Sequence, residues 1–452
     1  MKQWIVENKS YIKTTLRVAW PAVMESFFVA LVGMVDSLMV SRLGTYAVAA
    51  VGLTTQPKFL GLALFSAVNV ALSAITARRK GQNDREAANR TMLLVLFYVL
   101  LVGAVVSVIC VTFADSFIRL AGSKADTHDA AVAYFRIIMG GMMFTIISLA
   151  INAAQRGSGN TKIAMRTNLT SNLVNVVFNY LLIEGHFGFP ALGIEGAALA
   201  TVIGTVVACV MSIASIFRKD SFINVGYIIA NKLKATFADA KALVKLASSV
   251  FIEQMLLRVG FMSVAVMAAN LGTQEYAAHQ VGMNVMSLSF SFGDGMQVAA
   301  VTLIGQSLGR KEPEMAKKYG TICQRVGNMI SVILSMLYLV GGKAFFRAYF
   351  PTDDYAVSIG VHIMQVMVLI VLLQIAQVIY MGCLRGAGDV KFTTVASTLS
   401  VTLIRPTVSY LCAYMLKLGV IGIWFGIVGD QIMRLLLTSW RFKSGKWTKI
   451  EV

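Results

Sequence analysis

Residues 20–44 read WPAVMESFFVALVGMVDSLMVSRLG. A run this long and this apolar can cross a bilayer as one helix, which takes about 20 residues. It nevertheless holds two carboxylates, Glu25 and Asp36. An acid at the centre of such a helix costs roughly 2.5–3.5 kcal/mol on insertion scales. A helix whose only task was to span would not carry two. Asp36 lies among Met34, Val35, Leu38, Met39 and Val40. Its position predicts a carboxylate that faces an internal cavity and takes up and releases a cation. The plainer alternative is an acid pinned to a neighbouring helix as structural glue.

Working outward, the rest of the chain repeats this character. Hydrophobic residues make up 57% of the 452 residues and charged residues 14%, against about 25% charged in soluble domains. The mean hydropathy is +0.71. Twelve apolar segments are each long enough to span, near 15–41, 49–77, 91–115, 130–153, 163–184, 192–217, 243–270, 278–308, 320–345, 356–382, 393–415 and 418–440. The fold expected is an all-α polytopic membrane protein with no soluble domain left over. The first run is broken by Pro21 and Glu25 and lacks a clear cleavage site, so it reads as a retained span and not a signal peptide. Five cysteines, mostly inside apolar runs and without CxxC or zinc spacing, predict small buried hydrophobes and no disulfide framework.

A net charge of +18 raises the question of nucleic acid. The charges lie between apolar runs and not along one face, which argues against it. Thirty of the 40 lysines and arginines fall near 2–17, 78–90, 156–166, 218–245, 310–325, 385–391 and 434–449, and seven fall in the alternate connections. Such alternation is the positive-inside pattern. It predicts an even number of spans in the cell (inner) membrane with both termini cytoplasmic. Lys58, Arg258 and Arg405 fall within spans. The longest connection has weak apolar character, suggesting an amphipathic helix on the inner membrane surface. It divides the chain into an N-lobe at 1–217, a linker at 218–241 and a C-lobe at 242–452.

The halves repeat one another. Glu25 answers to Glu253, Leu43-Gly44 to Leu271-Gly272, and Gly81 with Asp84 and Glu86 to Gly309 with Glu312 and Glu314. The loop Arg156-Gly157-Ser158-Gly159-Asn160-Thr161-Lys162 answers to Arg385-Gly386-Ala387-Gly388-Asp389-Val390-Lys391, and Leu192-Gly193 to Leu418-Gly419. Internal repeats mark secondary transporters. Six spans per repeat is even, so both halves insert alike about an axis along the membrane normal, with a central cavity between two pseudo-symmetric six-helix bundles. Gly196, Ala200 and Gly204, and Gly422 and Gly426, recur at every fourth position and predict close helix packing.

These residues resemble the multidrug and toxic compound extrusion (MATE) family. The resemblance rests on Pro21-x-x-x-Glu25 with Val35 to Gly44, and on Asn179-Tyr180-Leu181-Leu182-Ile183 ahead of Gly196 to Thr201. The second half adds Leu271-Gly272, Ala277-Ala278-His279-Gln280 and Gly305-Gln306-Ser307-Leu308-Gly309. It implies two six-helix lobes in a V around a shared cavity, and export of small organic, often cationic, compounds in exchange for Na⁺ or H⁺. It also implies a cation site at Asp36, Asn175, Asn179 and Thr201 with the Ala197 carbonyl, where Na⁺ would sit. Asn175 and Asn179 fall on one helix face at i and i+4. Some members carry an acid where this chain has Asn179, a departure that weakens tight Na⁺ binding and leaves Asp36 able to serve as a protonation site alone. Another branch has further C-lobe acids, where this chain offers Gln374 and Gln377.

Glu25, Glu253, Asp294, Gln374 and Gln377 are the substrate-cavity candidates. His279 is expected near a span end as a hydrogen-bonding group, and Arg405, ahead of Pro406, as a structural residue at a kink. Small organic substrates and the lipid bilayer are the expected partners, with no nucleic acid, a monomeric state and no cofactor beyond the coupling ion. The rival reading of the same architecture is a flippase for lipid-linked headgroups, which would want a strongly cationic cavity. No HExxH, paired loop acids or nucleophile–base set points to an enzyme.

Overall fold

The computed structural model describes residues 8–43, 45–121, 123, 127–218, 220–350 and 354–450. Gly44 of the opening motif and the cationic Lys2, Lys124 and Lys219 lie outside them. Among the described residues all regular structure is helical.

Among the described residues twelve long helices, two of them in segments, follow in order, with short helical turns between some of them. They are α1 (Lys9–Ser41), α2 (Thr45–Gly81), α3 (Arg85–Thr112), α4 (His128–Gly140 with Met142–Gly157), α5 (Thr161–Ile183), α6 (Gly193–Ile216), α7 (Phe237–Ala269), α8 (Thr273–Gly309), α9 (Pro313–Tyr349), α10 (Asp354–Gly386), α11 (Val390–Thr398 onward to Met415) and α12 (Gly419–Lys443). Eight are long and apolar enough to cross a membrane singly, and the bent α4 makes nine. The other three are α5, α8 and α11. The first two carry polar residues along their length, among them Asn168, Asn172, Asn175 and Asn179 on α5 and His279, Asn284, Asp294 and Gln297 on α8. α11 is interrupted: π-helical turns at Leu399–Ile404 and Leu411–Met415 flank Arg405–Tyr410, which has Pro406 in its first turn. Proline removes an intrahelical donor, and the chain widens locally around it.

The chain forms two compact units. One is Met24–Ala247; the other is Ser248–Val452 together with the chain up to Val23. The boundaries therefore differ from a simple cut at 218–241. Val18 and Ala19 of α1 belong to the apolar core that holds Trp424, Trp447 and Phe346, and Tyr11 meets Tyr319 edge-on at 5.6 Å. The 218–241 stretch packs with the first unit. Arg85 donates to the carbonyls of Ser221 (2.8 Å) and Phe222 (3.1 Å), and its guanidinium lies over Tyr227. Asn89 bonds Phe222 and Asn224. The surface helix expected there shrinks to Val225–Ala230, capped by Asn224, because its backbone and side chains are tied to α3.

The repeat is visible in the backbone itself. After α4 and after α10 the chain turns in the same way: Gly159 and Gly388 have φ of 91° and 86°, and the next amide, of Asn160 or Asp389, donates five residues back to Gln155 or Leu384. Glycine in the left-handed region is what such a helix stop requires. The α2–α3 and α8–α9 turns match too, with Asn83 at φ 58° and Lys311 at φ 61°. α4 bends by 46° at Gly141, where Val202 of α6 packs against the glycine. His279, expected near a helix end, is instead 3% exposed and meets Trp424 edge-on, because α8 begins at Thr273, a turn and a half earlier. All five cysteines are free.

A left-handed backbone at a residue with a Cβ costs roughly 1–2 kcal/mol. Lys311→Gly is therefore expected to raise stability by about 1 kcal/mol, read as a higher melting temperature of the purified protein. Lys311→Val should lower it.

Candidate functional site

Within the Met24–Ala247 unit a pocket of about 250 Å³ opens among five helices. It is lined by Asp36 and Val40 of α1, Val51, Gly52 and Thr55 of α2, Tyr134 of α4, Asn179 of α5, and Ala197 and Thr201 of α6. Asn179 Nδ2 donates to Asp36 Oδ1 at 2.7 Å. Asn175, one turn earlier on α5, sits between Asp36 and Thr201. Oriented with its amino group toward the carboxylate, it donates to Oδ1 at 2.8 Å and Oδ2 at 3.1 Å while its carbonyl accepts from Thr201 N and Oγ1 at 3.2 Å. That orientation satisfies both ends of the carboxamide. The Thr201 hydroxyl has the Ala197 carbonyl as its alternative acceptor, at 3.0 Å. Asp36, Asn179, Ala197 and Thr201 thus line one pocket, and Asn175, outside the lining, bonds both Asp36 and Thr201.

Close backbone packing makes this possible. Gly196 and Gly204 of α6 lie against the backbone of α5, and a Cβ on Gly204 would come 2.8 Å from the Ser171 carbonyl. The two helices approach until side chains one turn apart on α5 reach α1 and α6 at once.

The donor set suits a small cation or a proton. Carboxylate, carboxamide, hydroxyl and backbone carbonyl oxygens converge, and Asn179 Oδ1 is buried with no hydrogen-bond donor among the described residues. The two amide N–H groups that face Asp36 satisfy its charge when no cation does. An arriving cation would have to turn at least one of them away.

The remaining candidates lie elsewhere. Glu25 accepts from Arg156 Nη1 at 2.9 Å and Asn168 Nδ2 at 2.6 Å. Glu253 accepts from Arg385 Nη2 at 2.7 and 2.8 Å. The repeat positions Glu25/Glu253 and Arg156/Arg385 are therefore one ion pair built twice, each tying the first helix of a repeat to the end of the fourth. Asp294 is half-buried between Gly293 and Gly295 on α8. Gln374 and Gln377 are 1% and 0% exposed, and their carboxamides find no hydrogen-bond partner among the described residues.

The second unit does not repeat the pocket. Gly422 meets Cys412 and Ala413 as Gly196 meets Leu182 and Ile183. In that register Arg405 and Ser409 take the places of Asn175 and Asn179. Arg405 is 1% exposed, ion-paired to the buried Asp430, which also pairs with Arg434. Val264, in the place of Asp36, packs with Ala268, Ala413 and Ile423. A fixed guanidinium and apolar side chains fill the volume.

Sequence reasoning missed Tyr134, whose hydroxyl reaches Thr201, and the relation of Lys58 to Asp36. A buried tyrosine needs a polar partner, but nothing in an apolar run of α4 says which one. Lys58 was visible as a charge within a span; its neighbour was not.

A duplicated bundle of membrane-length helices with a polar, carboxylate-bearing pocket defines a multi-pass membrane transporter. The MatE family model matches the chain twice, over residues 21–181 and 249–411, and the chain belongs to that family. It is 25% identical to the probable multidrug resistance protein NorM of Thermotoga maritima, over 97% of this chain and 93% of that one. It is 24% identical to the uncharacterized transporter YisQ of Bacillus subtilis, over 95% and 93%. Among solved structures, an outward-facing multidrug resistance MATE family transporter of the MOP superfamily superposes with a TM-score of 0.89 at 20% identity, covering 96% of this chain and 97% of that one. A MOP superfamily transporter from Pyrococcus furiosus, for which a binding pocket of reverse polarity suggests a different function, gives 0.87 at 21%, with the same coverage. The shared fold is that of the family.

Removing one partner of a buried ion pair strands the other charge and costs about 3–5 kcal/mol. Glu253→Ala is expected to destabilise the protein by about 3 kcal/mol, and Glu25→Ala, at a more exposed pair, by less. Adding Arg385→Ala to Glu253→Ala should recover part of the loss, measured by thermal unfolding in a double-mutant cycle.

Proposed function

We propose that this protein is a cation-coupled antiporter that exports small organic, often cationic, compounds, with Asp36 as the coupling group. The observation that carries this reading is the single carboxylate in the α1–α6 pocket, held by Asn179 at 2.7 Å and by Asn175, with an unsatisfied carboxamide oxygen beside it. The multidrug resistance names of the relatives support the substrate class. The charge distribution supports residence in the cell membrane with both termini cytoplasmic, and one chain contains the whole site, which fits a monomer.

The coupling follows from the bonds. In the cation-free state the Asp36 carboxylate accepts from two α5 amides, and α1 and α5 are held together. Na⁺ or H⁺ on that carboxylate removes the charge the amides answer to, so they must turn or let go. Cation uptake then favours whichever arrangement of α1 and α5 tolerates the loss. The shift can be no larger than the difference in cation affinity between the two arrangements, typically about 1–3 kcal/mol for coupled sites. Substrate export requires the same difference. A flippase is the weaker reading, because two of the three cations within spans are already answered, Arg405 by its ion pair with Asp430 and Lys58 by the charge of Asp36.

The test is dye efflux from proteoliposomes under an imposed Na⁺ gradient and, separately, an imposed pH gradient. Wild type should respond to at least one of the two, and Asp36→Asn should lose more than 90% of the gradient-driven rate (about 1.4 kcal/mol per decade) with its melting temperature little changed. Unchanged ion dependence in Asp36→Asn would sink the proposal.

A further inference from the structure

Lys58 stands on α2 one turn beyond Thr55, and Thr55 lines the pocket that contains Asp36. The two residues are three apart and share a helix face. Lys58 is half-buried just outside the pocket lining, and its charge and that of the Asp36 carboxylate act on each other without a direct ion pair among the described residues. Among the described residues Asp36 is the one charged side chain in the pocket lining. Glu25 holds Arg156, and Arg42 and Glu184 pair at 3.7 Å. α4 contributes Tyr134 to the pocket lining, α5 its asparagines, and α6 Thr201 and a backbone carbonyl. The lining thus contributes one carboxylate, and Lys58 brings an ammonium one turn beyond it.

We propose that Lys58 is a tethered cation that sets the ion selectivity of the Asp36 site by excluding Na⁺. This rests on the reading of Asp36 as the coupling group and adds which ion it couples to. An ammonium on a flexible four-carbon stem is a compact positive charge with three donors. Its charge acts on the carboxylate that would ligate Na⁺. Any free cation must bind against its repulsion, and an attached competitor acts at a high effective concentration. The same penalty falls on a proton and on Na⁺, yet the two do not suffer alike. A proton forms a covalent O–H bond and needs no coordination shell. Na⁺ needs several oxygens at once, and here two asparagines already present N–H groups to the carboxylate. A weakly held alkali ion has little affinity to lose, so the site is left to H⁺.

Na⁺ binding can be read without transport, by thermal unfolding of the purified full-length protein in NaCl against choline chloride at equal ionic strength. Wild type should show no Na⁺-specific rise in melting temperature. Lys58→Gln should acquire one, corresponding to an apparent Na⁺ affinity at least about tenfold higher, and Asp36→Asn added to Lys58→Gln should abolish it. Lys58→Arg keeps the charge and should stay insensitive. Lys58→Met serves the same purpose if the glutamine variant folds poorly. The inference is overturned if neither neutral variant gains a Na⁺ response, if wild type already has the same response, or if Lys58→Arg gains one. These readouts separate it from the transport reading: a Na⁺ response created at Lys58 and erased at Asp36 would stand even where efflux proved independent of Asp36.

Discussion

Each half of this chain is fastened by the same carboxylate–guanidinium bond. Glu25 on α1 holds Arg156 at the end of α4, and Glu253 on α7 holds Arg385 at the end of α10. Both arginines sit where the helix stops at a glycine in the left-handed region, so the bond fixes a helix, a turn and the start of the next helix together. In a low-dielectric setting a charge this far from water persists only with a partner of opposite sign. The pair therefore does more to define which helices must be neighbours than apolar contact does, since one apolar helix face resembles another and lipid competes for both.

Given that frame, α5 and α6 follow from α4 by a short turn and close on each other through glycines. The result differs between the halves. In the first, the α5–α6 contact delivers two carboxamides to Asp36. In the second, the equivalent places hold Arg405 and Ser409, and Asp430 supplies the counter-charge from α12. The duplicated architecture thus places a carboxylate held by carboxamides in one half and a matched carboxylate–guanidinium cluster in the other.

Much of this was legible in the residues. The twelve spans, the repeat, the tight packing at Gly196 and Gly204, and the grouping of Asp36 with α5 and α6 all have local signatures or a family resemblance behind them. The repeat even matched Glu25 with Glu253 and Arg156 with Arg385, without revealing that the matched residues bond each other. They lie 131 and 132 positions apart, and periodicity reports which face of a helix is buried, never by what. The same blindness hid the proximity of Lys58 to Asp36 and the docking of 218–241 on α3. In that stretch a mixed polar and apolar composition suits a surface helix and a tethered loop equally, and only Arg85 and Asn89, far back in the chain, decide between them. The start of α1 joining the core around Trp424 is of the same kind.

The widened turns of α11 carry a lesson for anyone moving residues between the halves. An extra amino acid inside a helix surrounded by hydrocarbon cannot bulge outward, since its peptide groups would be stranded; the coil absorbs it by expanding. Counterparts that stand 229 positions apart at Arg156 and Arg385 stand 230 apart at Leu182 and Cys412, and the first expanded turn lies between. Beyond it, counting by a constant offset is out of phase by one residue, about 100° of rotation. A graft designed by arithmetic would point its new side chain at the wrong neighbour, while one designed by the glycine contacts would not.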